Sequence, residues 1–173
     1  PAGQAGGGSQ RRHQTRGGGP LRTARVPPRE RPGDGNAHVR GRDTAGRLGL
    51  YPGNGASGLS TRRWIGSGWA SYTITNAGNM NGAGRPDLLA RDTGGGLWLY
   101  PLRGDGVFGA PTKIGNGWKG FTIHAPGDVS GDKRADILAK DATGALWLYR
   151  GNGAGRVAGR TLVSTGWQGV TAM

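Results

Sequence analysis

Short runs of alternating apolar and polar residues, separated by glycine-rich turns, fill most of the chain after its N-terminal segment. The clearest pair of runs lies at residues 135–140 (ADILAK) and 145–150 (ALWLYR). In the second run Leu146 and Leu148 would face one side and Trp147 the other, which is the period of two of a β-strand. An Asp-x-x-Gly turn joins the two runs, so the pattern predicts a β-hairpin.

Similar segments are found on both sides of this hairpin. A third strand is predicted at residues 157–165, and a fourth begins at residues 168–173. In the preceding unit the corresponding strands are predicted at residues 88–91, 97–100, 112–114 and 120–124. No window shows the period near 3.6 that an amphipathic helix needs. We therefore expect an all-β chain with four short strands in each unit.

Three residue types recur at an interval of 49 residues. They are an aspartate before a turn, a leucine in the second strand and a tryptophan after a glycine-rich turn: Asp43, Asp92 and Asp141; Leu50, Leu99 and Leu148; Trp69, Trp118 and Trp167. A repeat of about 40–50 residues with several strands is typical of a propeller blade. The repeat therefore predicts an incomplete β-propeller of about three four-stranded blades.

The predicted units span residues 33–77, 78–126 and 127–173, and the first unit is degenerate. Residues 1–32 lack the alternation and are expected to form a disordered tail rich in arginine and glycine. Because so few units cannot close a ring, three outcomes are open. Further blades are missing from the sequence, several chains self-associate to complete a propeller, or an open stack of sheets remains.

Composition and charge agree with this organisation. The 38 glycines and 10 prolines among 173 residues favour short strands and many turns. The net charge is +13, and residues 1–42 carry nine arginines against Glu30 and Asp34. Such a basic tail could bind nucleic acid or an anionic surface, but it has no aromatic residue to stack on bases, so disorder is the favoured interpretation. The absence of cysteine excludes disulfides, and no apolar run is long enough for a membrane span.

An oxygen-rich loop precedes the strand at residues 135–140. It offers side-chain oxygens, and one main-chain carbonyl from the arginine, at alternate positions: Asp128, Ser130, Asp132, Arg134 and Asp136. Hard oxygen ligands in this number suit calcium, so the loop predicts a Ca²⁺ site in the third unit only. The alternative is a cluster of Asx turns, in which the side chains cap backbone N–H groups without a metal.

The corresponding loops of the other two units are poorer in carboxylates. The second unit places at the equivalent positions Asn79, Asn81, Ala83 and Asp87. The first unit places there Glu30, Pro32, Asp34 and His38. A single well-placed carboxylate predicts weak calcium binding at most in the second loop, and we expect no calcium in the first.

The tryptophans fall into two groups with different expected roles. Trp98 and Trp147 lie in the second strands, and we expect them to fill the space between neighbouring blades. The others follow glycine-rich turns near the blade edge: Trp69, Trp118 and Trp167. Packing is the favoured role for these three as well, and stacking on a sugar is the alternative, which would make the chain a carbohydrate-binding propeller.

Motifs of familiar catalytic chemistry are missing from the sequence. There is no Gly-x-Ser-x-Gly elbow, no His-Glu-x-x-His and no phosphate-binding Walker loop. The histidines, His13, His38 and His124, have no evident partner network, and His124 is expected to be exposed on a strand. We therefore predict a chain that is not an enzyme.

The segments GDVSGDKRADILAKDATGALWLYRGNG and GNMNGAGRPDLLARDTGGGLWLYPLRG resemble the FG-GAP or VCBS-type repeat. Such repeats occur in tandem in secreted actinobacterial proteins and are related to the integrin α-subunit propeller. The resemblance covers residues 33–173 and implies a propeller, usually of seven blades, with calcium in D-x-[DN]-x-D-x-x-x-D loops. It implies the same ligands in the third unit, although Ser130 replaces the usual Asn or Asp. It also implies a secreted, non-catalytic module for binding or display, often appended to a hydrolase.

The first unit departs from this pattern at several positions. Gly49 stands where the repeat has tryptophan, His38 where it has aspartate, and Arg40-Gly41 where it has an apolar pair. We therefore expect that the first unit is decayed, or that the sequence before it is read in a shifted frame. The chain begins with Pro1, and we expect it to be a fragment or a processed product.

Overall fold

The structure is a computed structural model that describes residues 38–170. Among these residues there are eleven β-strands and no helix, in three antiparallel sheets. Sheet 1 contains β1 (His38–Arg42), β2 (Leu48–Pro52) and β3 (Arg63–Gly66). Sheet 2 contains β4 (Thr73–Asn76), β5 (Leu88–Arg91), β6 (Leu97–Tyr100) and β7 (Thr112–Gly115). Sheet 3 contains β8 (Thr122–Gly127), β9 (Asp136–Lys140), β10 (Leu146–Gly151) and β11 (Val157–Ser164).

Each sheet is a meander in which consecutive strands pair, and the three sheets resemble propeller blades that do not close into a ring. The predicted all-β class and the predicted incomplete propeller are therefore confirmed. Sheets 2 and 3 have the four strands expected of a blade, and sheet 1 has three within the described region. The predicted tail at residues 1–32 lies outside the described residues.

The sheets are offset by one strand from the repeat units of the sequence. Residues 120–124 were expected to supply the fourth strand of the second unit, but β8 instead opens sheet 3, where Thr122 pairs with Lys140 of β9. Likewise, β4 lies within the first sequence unit and pairs with β5. A repeat has no natural starting point, so the period alone cannot show which neighbour a connecting strand joins. Residues 168–170, expected to begin a further strand, are a turn.

The hairpin turn of each repeat is tied to the tryptophan turn by a backbone hydrogen bond. In sheet 2 the N–H of Trp118 donates to the carbonyl of Gly95 at 2.9 Å. Gly95 has φ = +83°, and a Cβ there would lie 2.7 Å from the N of Lys119. Only glycine accepts both conditions at low cost. This close approach explains why aspartate, glycine and tryptophan recur together.

Two apolar seams hold the three sheets together. The first seam joins sheets 1 and 2, and its buried residues are Leu48, Leu50, Ile65, Trp69, Leu88 and Ala90. The second seam joins sheets 2 and 3, and its buried residues are Ala77, Met80, Leu89, Leu97, Leu99, Trp118, Ala135, Ile137 and Ala139. Burial of apolar area between sheets is the dominant stabilising contribution here, since no single sheet can cover its own faces.

Trp98 and Trp147 are not in either cluster of buried core residues, so their expected role in filling the space between blades is wrong. Each ring is half-buried, and its indole Nε1 donates to an aspartate of the hairpin turn at 2.8 Å, Asp92 and Asp141 respectively. A buried indole needs a partner for its N–H, and the turn carboxylate provides one. The cation of Lys113 lies 5.3 Å from the Trp98 ring centre.

In sheet 1 the tryptophan of this strand pair lies on the third strand and not on the second. In sheet 2 Trp98 of β6 pairs with Lys113 of β7, whereas in sheet 1 Gly49 of β2 pairs with Trp64 of β3. A Cβ on Gly49 would lie 2.9 Å from the side chain of Arg62, whose guanidinium is 4.0 Å from the Trp64 ring centre. A tryptophan is therefore present on this strand pair, but on β3 in place of β2, and the expectation of a decayed first unit stays a prediction.

Candidate functional site

The loop at residues 127–136 is held by its own side chains. Both carboxylate oxygens of Asp128 accept backbone N–H groups: Oδ1 from Gly131 at 2.7 Å and Oδ2 from Lys133 at 2.7 Å. Asp132 Oδ1 accepts the N–H of Arg134 at 2.9 Å. These are the contacts of Asx turns, in which a short side chain replaces a backbone acceptor.

Asp136 closes the loop from inside and is fully buried. Its Oδ2 accepts the N–H groups of Val129 at 2.9 Å and Ser130 at 2.8 Å, and its Oδ1 accepts that of Gly151 at 2.9 Å. One carboxylate thus joins the beginning of the loop to the end of strand β10. A buried charge is tolerated only when hydrogen bonds of this kind replace its hydration.

The loop at residues 78–87 reproduces this arrangement with amides in place of carboxylates. Asn79 Oδ1 accepts the N–H of Gly84 at 3.0 Å, as Asp128 does for Lys133. Asp87 is 1% exposed and accepts the N–H groups of Asn81 at 3.0 Å and Leu102 at 3.4 Å. The shape of the loop therefore does not depend on the negative charges that distinguish the third unit.

The first unit shows the same closure with a different residue. His38 Nδ1 accepts the N–H of Gly53 at 3.3 Å, at the position where Asp87 accepts from Leu102 and Asp136 from Gly151. We call His38, Asp87 and Asp136 the loop-closing residues. A histidine at this position can replace aspartate as an acceptor toward the neighbouring strand.

The pKa values of the two buried carboxylates shift in opposite directions. Burial raises the pKa of Asp87, and the N–H groups of Asn81, Leu102 and Met80 only partly oppose this. Burial also raises the pKa of Asp136, but there the N–H groups of Gly151, Ser130 and Val129 outweigh it, so the pKa lies below its ordinary value. The third loop therefore stabilises a charge that the second loop stabilises less well.

These contacts bear on whether the predicted calcium ligands fit a metal in this geometry. Within residues 38–170 no three histidine, aspartate or glutamate side chains are close enough together to hold an ion. In this geometry both oxygens of Asp128 and both of Asp136 accept backbone N–H groups, which is the Asx-turn alternative. Each carboxylate oxygen keeps a second lone pair, and the Ser130 hydroxyl is buried without a hydrogen-bond partner among residues 38–170. The calcium site therefore stays a prediction.

The predicted aromatic platform does not form one surface. Trp69 and Trp118 are 7% and 4% exposed and lie in the two seams, where packing is their role. Trp69 lies 4.7 Å from Tyr100 and Trp118 lies 4.5 Å from Tyr149, measured between ring centres. Trp167 is half-exposed, because the described region has no sheet beyond sheet 3.

A groove of about 270 Å³ lies between β4 and β8. It is lined by Thr73, Ile74, Thr75, Leu89, Arg91, Leu97, Phe121, Thr122, Ile123 and His124. His124 pairs with Leu138 while Ile123 pairs with Ala139 of the second seam, so the His124 side chain lies on the face of sheet 3 that is turned away from sheet 2. The polar side chains that face the groove from sheet 2 are those of Thr73, Thr75 and Arg91.

Arg91 fixes one wall of this groove. Its Nη1 donates to the carbonyls of Trp118 and Phe121, and its Nη2 donates to the Thr73 hydroxyl at 3.4 Å. The sequence prediction missed the groove, because one repeat does not show how the inner strands of two sheets meet. A signal was nevertheless present, since polar side chains alternate in Thr73-x-Thr75.

Comparison with known proteins supports the predicted repeat class. Residues 79–139 match the family of FG-GAP-like repeats, which confirms the resemblance for that part of the chain. The fold is similar to that of a lectin from Agrocybe aegerita, whose structure was reported for specific recognition of non-reducing terminal N-acetylglucosamine. The TM-score is 0.53 and the identity 16%, over 76% of this chain and 39% of that chain. No curated protein matches the chain.

Proposed function

We propose that this chain, whose residues 79–139 are an FG-GAP-like repeat, is a non-catalytic propeller-type module that binds carbohydrate in the groove between β4 and β8. The observation that carries the proposal is the sheet 2 wall of this groove, where Thr73 and Thr75 lie on the same face as Arg91 and Leu89. Hydroxyl and guanidinium groups suit the hydroxyls of a sugar, and the ring of Phe121 offers an apolar surface for its C–H face.

The lectin with a similar fold supports the choice of ligand class only as an analogy, because the chain spans about two fifths of that structure. The groove volume of about 270 Å³ suits a terminal sugar residue rather than a long chain. N-acetylglucosamine is the natural first probe, and the array should include other terminal sugars.

A glycan array with the full chain tests the proposal. We expect binding to terminal sugars that falls at least about tenfold in Thr73→Val and in Thr75→Val, because each loses a hydrogen bond to the ligand. The matched control is Thr112→Val on the exposed strand β7, which should bind normally. No binding to any glycan, or binding that the groove variants leave unchanged, would refute the groove. Loss of binding in Trp167→Ala alone would instead favour the aromatic platform.

Calcium binding by the 127–136 loop stays a prediction. Its support is the number of oxygen groups and the resemblance to the repeat family; the alternative is a loop held by its Asx turns alone. Calorimetric titration of wild type and Asp132→Ala, both first treated with EDTA, tests it. Binding heat in the wild type that disappears in the variant would support a site, and no heat in the wild type would end the prediction.

The remaining parts of the proposal concern context. FG-GAP-like repeats typically occur in extracellular proteins, and we propose a secreted module that accompanies another domain, such as a hydrolase. No helix within residues 38–170 could cross a membrane. The related proposal of binding through the basic tail concerns residues outside the described region. It predicts salt-sensitive binding that disappears when residues 1–31 are deleted.

A further inference from the structure

The two seams are built from equivalent residues of their sheets. The sheet before each seam contributes two leucines, a residue of its last strand and a tryptophan: Leu48, Leu50, Ile65 and Trp69 in the first, and Leu97, Leu99, Ile114 and Trp118 in the second. The sheet after each seam contributes an aliphatic residue, a tyrosine and a further apolar residue: Leu88, Tyr100 and Phe108, and Ile137, Tyr149 and Val157. In both seams the tyrosine ring packs on the tryptophan ring.

Sheet 3 carries the first half of this set on the face that no other described sheet covers. The equivalent residues are Leu146, Leu148, Val163 and Trp167. Leu146 and Leu148 are 6% and 7% exposed, so the open part of this face is at Val163 and Trp167. Val163 is 51% exposed, whereas its equivalent in the first seam, Ile65, is 7% exposed. The N–H of Trp167 donates to the carbonyl of Gly144 at 3.0 Å, so this tryptophan turn is built as in the other repeats.

Sheet 1 presents the second half of the set on its opposite side. Val39 pairs with Tyr51 across β1 and β2, as Leu88 pairs with Tyr100 across β5 and β6. Val39 is 51% exposed and Leu88 is 2% exposed. Leu59, in the loop after β2, is 53% exposed, and its equivalents in the other sheets pack in seams.

We infer that sheet 3 of one copy of this chain packs on sheet 1 of a second copy, head to tail, with Tyr51 on Trp167. The inference rests on the proposed propeller-type module and names the partner of its open faces. A second copy fits because the exposed Val39 and Leu59 and the half-buried Tyr51 are equivalent to the residues that pack with the tryptophans in both internal seams. Head-to-tail contacts of this kind form rings when the rotation closes and open chains when it does not.

Two features oppose the contact and can be used to adjust it. Gly66 and Gly115 lie under the indoles of Trp69 and Trp118, where a Cβ would be 2.8 Å and 2.5 Å from Nε1, but the third repeat has Ser164 at this position. A side chain at Ser164 leaves less room for an indole placed as those of Trp69 and Trp118 are. Copies of net charge +13 also repel one another, and salt reduces this repulsion.

Light scattering of the full chain in about 0.3 M salt, over a concentration series, measures the association. We expect the mass to rise from 17.9 kDa to multiples of it with concentration. Val163→Asp and Val39→Asp should each lower the association constant at least about 100-fold, because a charge would be buried in the contact. The matched control is Leu162→Asp: this neighbour is 49% exposed, pairs with Trp147 on the other face, and should associate normally.

A mixture of the two variants gives the sharpest result. Val163→Asp keeps an intact sheet 1 and Val39→Asp keeps an intact sheet 3, so mixing them should restore a dimer that grows no further. Such rescue also shows that both variants are folded. Ser164→Gly should strengthen the association of the otherwise unchanged chain about tenfold, by analogy with the seam glycines.

Several results would overturn the inference. They are a wild type that stays at 17.9 kDa at every concentration, a mixture of the variants that stays monomeric, or equal losses in Val163→Asp and Leu162→Asp. A Ser164→Gly chain with unchanged association would do the same. A glycan array without binding beside intact association would refute the proposed ligand and not this contact.

Discussion

The loops at residues 78–87 and 127–136 have the same shape and different charges. The third-unit loop carries three aspartates where the second-unit loop carries one, yet equivalent oxygens cap equivalent N–H groups in both. The difference lies in the loop-closing residues: Asp136 accepts three strong backbone hydrogen bonds, while Asp87 has a longer contact to Leu102. The comparison indicates that acceptor oxygens determine the loop and that the added charge alters its stability and its response to pH.

The largest expected effect is that of Asp136→Ala. Removing this side chain leaves the N–H groups of Val129, Ser130 and Gly151 without their acceptor inside the protein, so we expect the free energy of unfolding to fall by about 4 kcal/mol. Urea unfolding followed by tryptophan fluorescence measures it. Asp132→Ala is the control, because Asp132 is exposed and should cost less than about 1 kcal/mol. Equal effects of the two variants would contradict the role of Asp136.

Asparagine substitutions compare the two loops more directly. Asp136→Asn removes a charge that the loop stabilises and should cost about 2–3 kcal/mol, because one of its oxygens becomes an N–H₂ donor facing N–H groups. Asp87→Asn should cost about 1 kcal/mol less than this, because burial already disfavours the charged form of Asp87. The same urea measurement at pH 7 decides the order. A larger loss of unfolding free energy in Asp87→Asn than in Asp136→Asn would contradict the conclusion that the third loop stabilises its charged carboxylate better.

The pH dependence of stability follows from the directions of the pKa shifts. The pKa of Asp136 is lowered, and hydrogen bonds from Thr143 and Trp147 lower that of Asp141 to about 2, so stability is present above the ordinary value of 3.8 and is lost as the pH falls toward about 2. Asp87 has a raised pKa, so its contribution to the free energy of unfolding increases as the pH falls. Urea unfolding at a series of pH values between about 5 and 2 should therefore show a decline that becomes steeper in Asp87→Asn. A variant with a flatter decline than the wild type would contradict this sign.

The smallest effect concerns the backbone of the loop. Lys133 has φ = +65°, whereas the equivalent residue in the second-unit loop is Gly84 with φ = +75°. Replacing a non-glycine residue in this conformation by glycine relieves about 1 kcal/mol of strain, so Lys133→Gly should raise the free energy of unfolding by roughly 0.5–1 kcal/mol. Lys119→Gly provides a control in an exposed turn. No gain in Lys133→Gly would argue against strain at this residue.

The sequence predicted the fold better than the site, for physical reasons that particular residues show. Alternation in the segments around Trp98 and Trp147 was sufficient to place the strands, because side-chain direction in a strand follows from position alone. It did not show that their indoles would bind Asp92 and Asp141, which left the seams to Trp69 and Trp118. The groove between β4 and β8 depends on the contact of two sheets, and no single repeat contains that information.

The most direct test of the loop-closing residues is amide hydrogen exchange of the wild-type chain by NMR in EDTA. The probes are the backbone N–H groups of Gly53, Leu102 and Gly151. They donate hydrogen bonds to His38, Asp87 and Asp136, respectively. We expect all three to be protected without metal, and Gly151 to lose protection in Asp136→Ala while the other two keep theirs. A Gly151 amide that exchanges freely until calcium is added would contradict the account, because the loop would then owe its shape to the ion.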